Sequence, residues 1–233
     1  MLMSLAIAPV LILLFYGYVR DKYEKEPYHM LISGVIFGMM ITFPIMFAGN
    51  WVTLLLPTEA SLLEETFFIA FINSSLVEEV FKFLILYLLT WRNPNLNEPF
   101  DGIVYAVFIS LGFAGVENVL YVLSPDLGGF QTAMYRGIFS VPGHGLFGVL
   151  MGYYYAKARF DHPRFLLPAL CVPWLAHGVY NLLLIWDGEV QTVLFFTFFM
   201  LLIATARKGI KGHLSRSPFL KMDTTCKMVD NGL

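Results

Sequence analysis

The strongest constraint on this chain is the stretch Glu78-Glu79-Val80-Phe81-Lys82. Its three charged side chains stand inside a run, Thr66 to Trp91, that is otherwise free of charge. A run of that length can cross a bilayer as one helix. Charge at membrane depth costs about 2.5–3.5 kcal/mol per group on insertion scales, so three such groups need partners or a purpose. Glu78 and Lys82 are four residues apart and share a helix face, where they can pair. Glu79 lies about 100° around the helix and is free to face something else. A buried ion pair that fixes helix packing would use Glu78 and Lys82 and leave Glu79 unexplained.

The rest of the chain has the same solvent. With 58% hydrophobic and 14% charged residues it is too apolar for a soluble domain. The reading is an all-α, polytopic transmembrane bundle. Seven apolar runs, at about 2–19, 30–56, 66–91, 101–123, 135–156, 165–186 and 190–206, each approach the length of a span, and Pro44 is expected to kink the second. This gives a transmembrane domain over 1–206 and a polar tail over 207–233. The N-terminus lacks a basic leader region, so the first run reads as a retained helix. A net charge of −2 without a basic, aromatic-interleaved stripe argues against a nucleic-acid partner. Cys171 and Cys226 offer neither a disulfide framework nor a CxxC metal site.

Lys and Arg in the connectors set the orientation. Arg20, Lys22 and Lys25 follow the first run, Arg92 the third, and Lys157, Arg159 and Arg164 the fifth; six more lie in the tail. The alternate connectors hold only Arg136. Odd loops and the tail are therefore expected to be cytoplasmic, with the N-terminus outside.

That topology puts the unusual side chains of four spans in the outer half of the bilayer. At 1.5 Å per residue, Glu78, Glu79, Glu117, His144, His177 and Asn181 lie roughly 8–20 Å from the outer face. Each has an ordinary role available. Glu117 can pair with a buried histidine, and His144 can be a hydrogen-bonded core residue. His177 and Asn181, four apart, can make an interhelical polar contact. The Gly148/Gly152 pair reads as helix packing. Together, three carboxylates, two imidazoles and an amide support two chemistries. In one, a Glu activates water while His and Asn stabilise the oxyanion of an amide being cleaved. In the other, His144, His177 and a Glu such as Glu117 bind Zn²⁺ with an open position, and a second Glu is the base. A proton- or ion-coupled transporter could use the same groups, although no transporter-like repeat is present.

The motifs resemble the PrsW family of intramembrane proteases, relatives of the CAAX-prenyl-protease and bacteriocin-immunity superfamily. The likeness runs from about Tyr16 to Asn181. It rests on Asp21–Pro27, the EExxK of Glu78, Glu79 and Lys82, Pro99–Tyr105, the FxxxEN of Phe113, Glu117 and Asn118, Gly143-His144, and the HxxxN of His177 and Asn181. CAAX-type relatives carry FxxxH where this chain has FxxxE, a departure that bears on prenyl-substrate chemistry and on any metal-ligand set. The resemblance implies a peptidase of the cell (inner, cytoplasmic) membrane that makes the first cut in a single-pass membrane protein, an anti-sigma-factor-like regulator. It implies either a zinc-dependent or a metal-free, glutamate-type reaction. In that reading Glu78 or Glu79 is the base and Lys82 pairs with Glu78. Glu117 and His144 orient water, relay protons or bind metal. His177 and Asn181 stabilise the oxyanion or complete the metal site. The Asp21–Pro27 loop is assigned to topology or partner contact.

Overall fold

The computed structural model describes residues 1–186 and 188–220; Asp187 and positions 221–233, the larger part of the expected tail, lie outside the described residues. Among the described residues every regular element is helical: α1 (Leu2–Arg20), α2 (Tyr28–Met40), α3 (Thr42–Thr53), α4 (Leu62–Phe67), α5 (Val77–Thr90), α6 (Pro99–Val122), α7 (Phe130–Tyr135), α8 (Val141–Phe160), α9 (Leu166–Ile185) and α10 (Glu189–Leu214). Two π-helical segments, Phe68–Leu76 and Arg136–Ser140, join α4 to α5 and α7 to α8 without a break.

Among the described residues, five helical stretches are long and apolar enough to cross a membrane: α1, α2 with α3, α6, α9 with its leading turn, and α10. The third and fifth apolar runs form the two helices that contain π segments. The second run breaks at Ile41, between α2 and α3. The cause is Pro44, whose ring lacks an N–H and clashes with the carbonyl four residues back, so the regular helix is interrupted at Ile41. The expected kink takes the form of a single-residue interruption: Ile41 keeps helical dihedrals, donates to the Phe37 carbonyl at 3.0 Å and accepts from the Ile45 N–H at 3.0 Å.

The bundle is built around α6. Every residue from Pro99 to Ala114 except Val107 is buried. A helix apolar on all sides belongs in the middle of a bundle, and α1, α2 and α8 pack against it. The α6–α8 crossing depends on Gly152. A Cβ there would lie 2.3 Å from the Gly102 carbonyl oxygen and 2.5 Å from Ile103 Cα, so any side chain would push the helices apart. On the periphery α1 and α10 present Leu11, Phe15, Val190, Val193 and Met200 outward, apolar faces suited to lipid.

At one end of α6 the α1–α2 loop folds onto the helix. Glu26 donates its backbone N–H to Asp21 Oδ2 at 2.9 Å, and its own carboxylate accepts the Tyr105 hydroxyl. Glu26 also lies within hydrogen-bonding reach of Asp101. Burial pushes Asp21 and Glu98 above the usual carboxylate range and Glu26 up to about 7. The expected tail does not begin as a tail: α10 continues to Leu214, buries His213 against the Tyr153 carbonyl, and is succeeded by Ser217, which donates to Glu98.

Candidate active site

The charged triplet occupies the first turns of α5, directly after the Phe68–Leu76 π segment. His144 likewise comes just after the second π segment, at the start of α8. A π segment adds a residue to a helical turn and re-aims the side chains beyond it, and such segments gather at functional sites. Here both feed one cluster. The first is held by side chains: the Ser75 hydroxyl donates to the Ala70 carbonyl, and the Trp174 indole of α9 donates to the Phe71 carbonyl at 2.6 Å. Gly178, the neighbour of His177, makes this approach feasible, since a Cβ there would sit 2.2 Å from the Phe71 ring.

Lys82 is the hub. Its buried ammonium donates to Glu78 Oε2 at 3.1 Å, to Glu79 Oε1 at 2.9 Å and to His144 Nδ1 at 3.2 Å. An ammonium can only donate, so His144 Nδ1 is the acceptor and the ring proton belongs on Nε2. From there it reaches Glu117 Oε2 at 3.0 Å. Glu117 also accepts from Arg136 at 2.5 Å, and Arg136 lies over the Tyr121 ring at 4.0 Å. On the other side of Lys82, Glu79 Oε1 meets His177 Nδ1 at 3.0 Å, and the His177 ring stacks on Phe147 at 4.5 Å. Asn181 donates to the Ser74 hydroxyl at 3.0 Å, and Ser74 donates to Glu78 Oε1 at 3.2 Å.

All seven residues singled out from the sequence are therefore linked through one network. Lys82 pairs with both adjacent carboxylates and not with Glu78 alone. The network also recruits residues that sequence reasoning did not assign: Ser74, Ser75, Phe147 and Arg136. The one available signal was Arg136, the lone cation in the connectors of its side, which here neutralises Glu117. Three carboxylates (Glu78, Glu79, Glu117) thus face two fixed cations (Lys82, Arg136), which leaves one negative charge in excess.

The two adjacent glutamates differ in access. Glu79 is fully buried, whereas Glu78 is 6% exposed and borders two cavities. One, about 360 Å³, opens between α3 and the end of α6 past Thr42, Ile45, Met46 and Leu120. The other, about 420 Å³, is lined by Ser74, Arg136, His144, His177 and Asn181.

The donor set also suits a metal. Glu78, Glu79, His144 and His177 each offer one atom within 4.8 Å of the others, and all four are buried. Glu79 Oε2 has no hydrogen-bond partner, an orphan of the kind a cation satisfies. Glu117, expected among the ligands, is engaged by Arg136 and by the far nitrogen of His144.

Comparison with known proteins gives this geometry a family. Residues 26–205 match the model of the PrsW family intramembrane metalloproteases. The chain belongs to the PrsW family. It is 38% identical over 187 residues to Protease PrsW of Geobacillus kaustophilus, covering 79% of this chain and 80% of that one. With Protease PrsW of Bacillus subtilis the identity is 37% (78% and 82% covered), and with that of Clostridioides difficile 31% (86% of each). No solved structure matches. As a PrsW-family member the chain is a multi-pass membrane protease with a protein substrate, and the relatives lend no support to the transporter or prenyl-peptidase alternatives.

Proposed function

We propose that this PrsW-family protease crosses the bilayer seven times, with the N-terminus outside and the polar C-terminal end in the cytoplasm. It would cut single-pass proteins of the cytoplasmic membrane near the outer face. The two π-containing helical runs, Leu62–Thr90 and Phe130–Phe160, are each long enough to be the additional spans. The distribution of Lys and Arg supports the orientation. An anti-sigma-factor-like regulator suits the polarity, because its extracytoplasmic side would face the cavities.

The observation that carries the mechanism is the unequal access of the two glutamates. Glu78 and Glu117 border both cavities, but Glu117 is held by Arg136 and His144, so Glu78 is the carboxylate placed to take a proton from water. Glu79 is sealed and works by position: it accepts from His177 Nδ1 and from Lys82. In the reaction Glu78 removes a proton from water and the hydroxide adds to the scissile carbonyl carbon. With its Nδ1–H on Glu79, His177 donates to the oxyanion from Nε2–H as the doubly protonated ring, and Asn181 swings its amide N–H from the long 3.4 Å contact with Ser75 Oγ to the same oxygen. The proton held by Glu78 then passes to the departing amide nitrogen as the C–N bond breaks. Lys82 holds Glu78 and Glu79 apart from one another's charge, and the Arg136–Glu117–His144 chain holds Lys82.

A second reading is favoured by the four converging donor atoms. Glu78, Glu79, His144 and His177 would hold a divalent metal such as Zn²⁺, which supplies a water of lowered pKa. The two readings divide on Lys82, since its ammonium already occupies three of those four donors. The test is cleavage of epitope-tagged single-pass reporters by wild type, Glu78→Gln and Glu79→Gln, with metal content measured on the same active preparations. Loss of cleavage in folded Glu78→Gln, with sub-stoichiometric metal in active wild type, is the expected result. Full cleavage by Glu78→Gln removes Glu78 as base, and stoichiometric metal with cleavage abolished by chelator selects the metal reading.

A further inference from the structure

A third cavity lies away from the catalytic network. It has a volume of about 570 Å³ and none of Glu78, Glu79, Lys82, Glu117, His144 or His177 lines it. It is a cleft between α1 and α10, floored by α6 and α8. Ile12 and Tyr16, Val107 and Leu111, Leu146, and Ile203 give it apolar walls. Along α10 it runs from Phe199 to Ile210, roughly 16 Å at the helical rise. Gly17 and Gly145 deepen it by contributing no side chain.

One end is different. Arg20, the last residue of α1, and Arg207 of α10 both line the cleft there. Neither forms an ion pair among the described residues, where the arginine ion pairs are Arg136–Glu117 and Arg216–Asp161. Two unpaired guanidiniums at the end of an elongated apolar slot describe a ligand with an anionic head and a hydrocarbon stem. Guanidinium matches phosphate oxygens in a bidentate manner, and basic pockets between transmembrane helices hold anionic lipid headgroups.

We propose that the α1–α10 cleft is a binding site for an anionic glycerophospholipid, its phosphate between Arg20 and Arg207 and an acyl chain along α6 and α8. The bound lipid would brace α1 and α10 against the two helices that carry Glu117 and His144. A polypeptide helix is the competing occupant, but an apolar helix gives the two arginines nothing to neutralise.

The test uses the full chain purified in a non-ionic detergent. Phosphatidylglycerol or phosphatidylcholine with identical acyl chains is added, and thermal unfolding is monitored. Phosphatidylglycerol should raise Tm by about 4 °C more than phosphatidylcholine. R20Q/R207Q should lose most of that difference and R20K/R207K should keep part of it. Both arginines are exposed, so the single variants R20Q and R207Q, each expected to lose about half, serve if the double variant does not fold. Native mass spectrometry should show one fewer retained phosphatidylglycerol on R20Q/R207Q. Equal shifts with the two lipids, or a phosphatidylglycerol increment that survives in R20Q/R207Q, overturn the proposal. So does a transmembrane-length peptide that displaces the lipid and binds R20Q/R207Q as well as wild type.

Discussion

Glu26 gives the fold a pH dependence that can be worked through. Its carboxyl group is buried at 3% exposure beside Asp21, Glu24 and Asp101, with the Tyr105 hydroxyl as donor and Lys25 as the nearby cation. Burial lifts it from its ordinary 4.5 to about 7. The folded state therefore holds a proton that the unfolded chain releases. That contribution is fully present below about pH 4.5, fades as pH rises, and is gone above about pH 7. At about 1.4 kcal/mol per pH unit the full effect is about 3 kcal/mol. Asp21 and Glu98 are raised as well and add slope of the same sign, so the measurement must be a difference. Glu26→Gln supplies it: the uncharged amide fills the same space, and its oxygen can still accept from Tyr105 and from Asp101. Thermal unfolding of wild type and Glu26→Gln between pH 5 and pH 8.5 should show wild type losing stability as pH rises. Glu26→Gln should show a shallower slope and be the more stable protein at pH 8.5. Parallel slopes for the two proteins, or wild-type stability that climbs with pH, would refute the assignment of a buried proton to Glu26.

Lys82→Met leaves Glu78 and Glu79 buried without their cation and should cost about 3–5 kcal/mol, read as lowered thermal stability together with lost reporter cleavage. Gly152→Val drives a branched side chain into the backbone of α6 and should destabilise by about 1–3 kcal/mol or more, whereas the same change at Gly212, which faces open space, should be far milder. Ser74→Ala removes the hydroxyl between Asn181 and Glu78; cleavage should fall about tenfold with little change in Tm, and unchanged cleavage would detach Asn181 from the base.

Each feature was legible in the sequence to the extent that its physical signal is local or summed. The helical class and the approximate placement of the apolar runs were visible because hydrophobicity over some twenty residues is a summed quantity, insensitive to any one contact; the end of α10 at Leu214, beyond the last run, was not, because its final turns are polar. The interruption near Pro44 was half visible: proline announces a disruption, but its steric effect falls on the carbonyl four residues earlier, so the regular helix is interrupted at Ile41. Depth along the bundle axis grouped Glu78, Glu79, Glu117, His144, His177 and Asn181, and the structure brings them into one network. Depth says nothing about rotation around each helix, and rotation decides partners. The π segments at Phe68–Leu76 and Arg136–Ser140 each shift the residues after them in register, so the pairing of Glu117 with Arg136 and the recruitment of Ser74 could not be read from 3.6-residue spacing.

A signal of the same kind made the α1–α2 loop look like a marker of topology. Its Lys and Arg residues are conspicuous in a charge count, whereas the residues that anchor it are acids, Asp21 and Glu26. Asp21 ties the loop to itself through the Glu26 N–H, and the partners of the Glu26 carboxylate, Asp101 and Tyr105, lie some 80 residues further on, at the opposite end of α6 from Glu117. Asp101 and Glu117 are sixteen residues apart on one helix, roughly 24 Å along its axis. One rigid helix thus carries a proton-holding cluster at one end and the Arg136-bound carboxylate at the other. If the two ends are mechanically joined, Glu26→Gln should leave the ratio of reporter cleavage at pH 8 to pH 6 different from that of wild type. If the ratio is the same while the pH slope of stability flattens, the loop cluster serves folding alone, and α6 transmits nothing from it to the site.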